Sequence, residues 1–126
     1  MNFYLDHERL EVYRFAIQFV VLVDEFVENL PRGRAYLADQ LRRAGASTPL
    51  NIAEGAGEYA PTEKARFYRM AKRSATECSS ILDILKHLLL INEELFSKAR
   101  ELLVRTVAML IKMVQDLGKS CVAQEA

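Results

Sequence analysis

Residues 11–27 read EVYRFAIQFVVLVDEFV, and apolar residues recur in them at three- and four-residue spacing, the signature of an amphipathic helix. One stripe is Tyr13, Ala16, Val20, Val23 and Val27, continued by Leu30. A second, displaced by one residue and so by about 100° of helix rotation, is Val12, Phe15, Phe19, Leu22 and Phe26. Only Arg14, Gln18, Glu25 and Glu28 form a plainly polar strip. A bundle helix needs an apolar arc somewhat wider than about 100°, and this segment has about twice that. Either it lies in a deep groove between two neighbours, or one stripe faces the bundle and the other faces a second copy of the chain. Large aromatics bury much area at little entropic cost, which favours the second packing. Val12, Phe15, Phe19, Leu22 and Phe26 are therefore the candidate oligomer interface.

Working outward, helical spacing continues almost throughout. Asp6 is a plausible N-cap for this first helix, which should run from about His7 to Asn29 before Pro31 and Gly33 end it. A second helix begins near Arg34. Pro49 removes a backbone donor and crowds the carbonyl of Gly45, which predicts a kink or break at 46–49, and Gly55 and Gly57 should stop the helix. Pro61 and Thr62 open a third helix reaching about Ile91, lined on one side by the small residues Ala71, Ser74, Ala75 and Cys78. Asn92 is a good N-cap for the fourth, with Glu93 and Glu94 in its first turn, and Gly118 should end it. With every connection short, the expected fold is all-α: a single-domain, up-and-down four-helix bundle with a kinked second helix, its core at about 7–118 and its tail 119–126 frayed.

Composition agrees. The chain has 126 residues, half of them apolar (51%) and 27% charged, with only five Gly and three Pro, the balance of a globular protein with few loops. The longest apolar stretch, Phe15 to Val23, is interrupted by Gln18 and too short to span a bilayer. Cys78 and Cys121 form no closely spaced pair, so a cytoplasmic protein with reduced thiols is expected.

Net charge is zero, yet charge is sorted along the chain. Residues 1–31 carry a net of −4 and residues 61–91 a net of +3. Arg66, Arg69, Lys72 and Arg73 on the third helix, with Arg42 and Arg43 on the second, are candidate nucleic-acid contacts. The same charges also fit a solvated face with i,i+4 partners, or pairing between the acidic first helix and the basic third across a subunit boundary. Only Phe67 and Tyr68 interleave with these cations, so a base-stacking platform is unsupported.

Groupings that carry chemistry are sparse. His7 and His87 stand far apart and neither belongs to Glu-x-x-His; the serines have no evident His and Asp partners; Gly55-Ala56-Gly57 lacks the rest of a phosphate loop. No enzyme activity, cofactor or metal is expected. The segment from Ser47 to Gly55 is unusual for a helix in concentrating Ser47, Thr48, Asn51 and Glu54 beside Pro49. It reads as a polar network of Ser47, Asn51 and Glu54 that fixes the kink, Glu54 bonding Arg42 or Arg43, or else as an exposed binding patch.

These residues also carry a likeness. Gln40-Leu41-Arg42-Arg43-Ala44, then Ser47, Pro49 and Asn51-Ile52-Ala53-Glu54-Gly55, then Arg66-Phe67 and Ala71-x-x-Ser74-x-x-Glu77 resemble the four-helix-bundle proteins of the 23S ribosomal RNA intervening-sequence family. The resemblance covers about residues 8–117 and extends to a related branch, the accessory variability determinant of diversity-generating retroelements. It implies a homopentameric ring, with RNA, DNA or a reverse transcriptase as partner. Against the family pattern stand Arg73 for a small glycine, Thr48 for isoleucine and Glu58 for a basic residue. The neutral chain also differs from the strongly basic retroelement members, which argues against tight phosphate binding. The function expected is a non-enzymatic, self-assembling interaction module serving RNA or a nucleic-acid enzyme. Direct, sequence-nonspecific nucleic-acid binding by the basic patch is the alternative.

Overall fold

A computed structural model describes the backbone of residues 3–125 and the side chains of residues 3–119. Its four helices are α1 (Glu11–Val27), α2 (Ala35–Gly57), α3 (Pro61–His87) and α4 (Glu93–Glu125). Each packs on its neighbours in sequence, and α4 returns to α1, so the bundle closes while the diagonal pairs stay apart. The short links leave consecutive helices antiparallel: Gln40 of α2 meets Glu77 of α3 and Ser47 meets Ser74. The first and last helices run antiparallel too, with Phe15 against Arg105 and Leu22 and Phe26 beside Leu95 near the start of α4.

Local sequence accounts for most boundaries. The Asn92 side chain accepts a hydrogen bond from the Leu95 N–H at 2.8 Å, the N-cap expected, and Pro61 sits in the first turn of α3. The third helix stops at His87, short of Ile91. Leu89 there turns into the left-handed region (φ 59°) while the Leu90 N–H reaches back to the Leu85 carbonyl at 2.9 Å. This Schellman closure drops Leu90 onto the core. At the other end of the sequence Asp6 caps nothing. Residues 6–9 form turns, and α1 begins after Leu10, which makes no side-chain cap bond.

The break expected at Pro49 and the stop expected at Gly118 are both absent. The second helix runs unbroken through Pro49 to Gly57. The lost donor of an internal proline costs about 3 kcal/mol in isolation, and here Pro49 lies on the buried face of α2, where packing of the whole helix outweighs one missing bond. Gly118 likewise fails to end α4, which continues to Glu125; one glycine costs only about 1 kcal/mol in a long helix. The side chains of the tail, Cys121 included, lie outside the described residues.

The core corrects the reading of α1. Its buried residues are Val12, Ala16, Phe19, Val23 and Val27, drawn from both apolar stripes. The helix lies in the groove between α2 and α4, which covers both flanks of that line. Phe19 is only 1% exposed and lies over Gly45 of α2, where an added Cβ would stand 3.7 Å from its ring, and Val12 is 2% exposed. Neither can meet another copy, so the proposed interface loses both. Phe15 is half-buried with the Arg105 guanidinium 5.5 Å from its ring centre; Leu22 and Phe26 are half-buried beside Leu90, Ile91 and Leu95. The apolar side chains of α1 left exposed are Ile17 and Val21.

Candidate functional site: three surfaces of the third helix

Because 3.6 residues make a turn, α3 presents three strips in succession: one toward α2, one outward and one toward α4.

On the α2 side lies a polar groove of about 580 Å³, lined by Tyr36, Asp39, Gln40, Arg43, Ala44, Ser47, Ser74 and Glu77. It is open because Ala44, Ser47 and Ser74 are too short to fill it. Its floor is a closed network. The Ser74 hydroxyl donates to Ser47 Oγ at 2.8 Å, and Asn51 Nδ2 donates to Ser47 Oγ at 3.0 Å and to the Ser47 carbonyl at 2.9 Å. Gln40 Nε2 reaches Glu77 Oε1 at 3.4 Å across the wall. Ser47 and Asn51 are thus paired as expected. Glu54 is not part of the network: it is exposed and bonds neither Arg42 nor Arg43, while Arg42 stands 3.8 Å from Asp24. The side chain that takes its place is Ser74. The signal for it was the Ala71-x-x-Ser74 spacing, which aims a small hydroxyl at the neighbouring helix.

Below the groove the two helices touch. A Cβ on Gly55 would stand 2.7 Å from the Tyr68 ring, closer than carbon atoms approach, so only glycine fits. Gly55 is a packing residue inside α2 and not its stop. The Lys64 ammonium closes that helix, donating to the carbonyls of Gly55 and Ala56 at 3.0 and 2.7 Å, where the helix dipole favours a cation.

On the outward strip Arg69, Lys72 and Arg73 border, with Thr76, a depression of about 430 Å³. All three are exposed and none forms an ion pair among the described residues. The six candidate cations therefore divide. Arg66 is committed to Glu63, with N–O distances of 3.0 and 3.2 Å, and lies over the Phe67 ring; the bond to Glu63 and its charge raise the guanidinium pKa further. Arg42 faces Asp24, and Arg43 lines the polar groove.

On the α4 side the lining changes character. A groove of about 380 Å³ is walled by Ala75, Thr76 and Ser79 of α3 and by Arg100, Leu103, Val104, Val107, Ala108 and Ile111 of α4. Val104 is 48% exposed and Ile111 40%. Small residues on α3 leave the long aliphatic side chains of α4 uncovered. Sequence periodicity did not single out this face, because Val104 and Ile111 flank a stripe otherwise fully used by the core.

Among the described residues no group of His, Cys, Asp and Glu could hold a metal, and no helix is long and apolar enough to cross a membrane. Cys78 is buried, and burial, followed by the charge of Glu77, pushes its thiol pKa up to about 12. It is a neutral core side chain at ordinary pH.

The family model for the 23S rRNA-intervening sequence protein matches residues 8–112. The chain is similar in structure to a protein of unknown function from the S23 ribosomal protein family of Bacteroides thetaiotaomicron VPI-5482. The TM-score is 0.76 and the identity 19%, over 82% of this chain and 97% of that one. At that identity the likeness speaks to the fold alone. No curated protein sequence matches the chain.

Proposed function

The chain belongs to the 23S rRNA-intervening sequence protein family, and from that membership we propose that it is a non-enzymatic, self-assembling interaction module serving RNA or a nucleic-acid enzyme. The observation that carries self-assembly is the aliphatic surface left open after the bundle has closed: Val104 and Ile111 in the α3–α4 groove, Ile17 and Val21 on α1. Apolar area clustered in a groove is the common mark of a protein-binding surface. The family name supports an RNA-linked role, and the resemblance traced in the sequence supports a ring of five with a reverse transcriptase or its nucleic acid as client. The polar α2–α3 groove, lined by residues of the motif that carries the resemblance, is the surface such a client would meet. Its work is in the cytoplasm, where Cys78 stays reduced. Sedimentation velocity of the pure chain tests assembly. Co-purification with a co-expressed reverse transcriptase or RNA tests the client, and loss of capture in Arg43→Ala with Tyr36→Ala is the result expected.

A second reading is direct nucleic-acid binding. It is favoured by the three cations Arg69, Lys72 and Arg73, which lie on one exposed strip and form no ion pair among the described residues. Contact with three phosphates would give a log–log salt slope of about −2 to −3. Titration of labelled RNA and DNA at two salt concentrations should show that slope and its loss in Arg69→Ala with Arg73→Ala; no binding at low salt overturns this reading.

A further inference from the structure

The geometry points to a second copy of this chain, entering through the outer face of its α1, as the occupant of the α3–α4 groove. This rests on the self-assembly reading and adds the two surfaces that meet. The entering face carries Ile17 and Val21 in its centre, 37% and 54% exposed, with Asp24, Glu25 and Glu28 toward one end and Arg14 at the other, a net negative charge. Asp24 has only a 3.8 Å pairing with Arg42, solvent-exposed on both sides and so worth little. The receiving groove is aliphatic at Val104 and Ile111, has Arg100 on its α4 wall, and adjoins the unpaired Arg69, Lys72 and Arg73 at Thr76, a residue shared by the groove and the basic strip. Aliphatic side chains thus meet aliphatic side chains while carboxylates meet guanidinium and ammonium groups.

The same charges disfavour the alternative pairings. Two α1 faces brought together about a two-fold axis would oppose six carboxylates with only the two Arg14 side chains to offset them, and two grooves would oppose eight cations, each a costly juxtaposition. The contact must therefore be heterologous, face into groove. Every copy keeps one face and one groove, so contacts continue from copy to copy until a ring closes or a filament grows.

A mixing experiment separates this arrangement from any other. Val21→Asp spoils the entering face and leaves the groove; Val104→Asp spoils the groove and leaves the face. Both positions are about half exposed, so helical circular dichroism should match the parent. Each variant alone should sediment as a monomer of about 14.4 kDa. Their equimolar mixture should give a capped dimer of twice that mass, because one intact face and one intact groove remain. Ile17→Asp and Ile111→Asp form a second pair should either variant fail to fold. A parent that assembles while the variants keep its mass, or a mixture that stays monomeric, overturns the face-into-groove contact and leaves self-assembly standing. A parent that is itself monomeric at high concentration overturns both.

Discussion

The two sides of α3 are built from similar materials and end in opposite conditions. Toward α2, small residues meet small residues, and the polar groups left at the surface are satisfied by one another: Ser74 to Ser47, Asn51 to Ser47, Gln40 to Glu77. Toward α4, small residues meet Leu103, Val104, Val107 and Ile111, and none of the described residues covers the outer edge of that row. Hydrogen bonds saturate, whereas apolar surface does not, so the first side is complete within one chain and the second keeps aliphatic area open to the partner proposed above. The α2 side should therefore govern whether the chain folds and the α4 side whether it assembles.

That division can be broken by substitution. The largest effect is expected at Phe19, enclosed by its own chain and in contact with α2. Phe19→Ala should cost about 3–5 kcal/mol by urea denaturation; an unchanged midpoint with altered mass would return this residue to an intersubunit role. Gly55→Ala drives a methyl into the Tyr68 ring and should cost about 1–3 kcal/mol, seen as a melting temperature several degrees lower. Ser74→Ala removes one hydrogen bond of the floor and should cost about 1 kcal/mol, with no change in mass.

The pH dependence sharpens the picture along α3 itself. Cys78 holds its proton more tightly in the fold than in the unfolded chain. The stabilisation this gives is whole below the thiol's ordinary pKa of 9.0 and is lost as pH rises from there toward about 12. In a Cys121→Ser background the remaining thiol should resist alkylation at pH 8 until the protein unfolds; rapid labelling of the native chain would contradict the burial. The smallest effect on stability belongs to the other side of the helix. Compared with the equally monomeric Val21→Asp, Val104→Asp should differ in unfolding free energy by no more than about 0.5 kcal/mol, as read by the same urea titration.

The four helices were legible because their signals are local: Pro61 in a first turn, Asn92 three residues before the N–H it caps, apolar spacing in between. What escaped depends on partners distant in sequence. The two stripes of α1 look like one face too many on a helical wheel, which counts apolar residues but not neighbours; with α2 and α4 on either flank, both stripes contribute to one core. Gly55 reads as a helix terminator until Tyr68, thirteen positions on, is laid across it. The polar network was found at Ser47 and Asn51, four residues apart on one helix, and missed at Ser74, which comes from another. Glu54 was assigned to it on charge alone. The basic strip was legible as composition, but only geometry divides Arg66, held by Glu63, from Arg69, Lys72 and Arg73, which form no ion pair among the described residues. The α3–α4 groove left no trace in the pattern because an exposed valine beside a core stripe looks like any other.

The mass of the unmodified chain in solution, followed by sedimentation equilibrium from low to high protein concentration, bears most directly on all of this. An aliphatic groove that another copy must cover predicts a discrete species several times 14.4 kDa. A single 14.4 kDa species at the highest concentration reached would mean that Val21, Val104 and Ile111 stand bare in water without consequence.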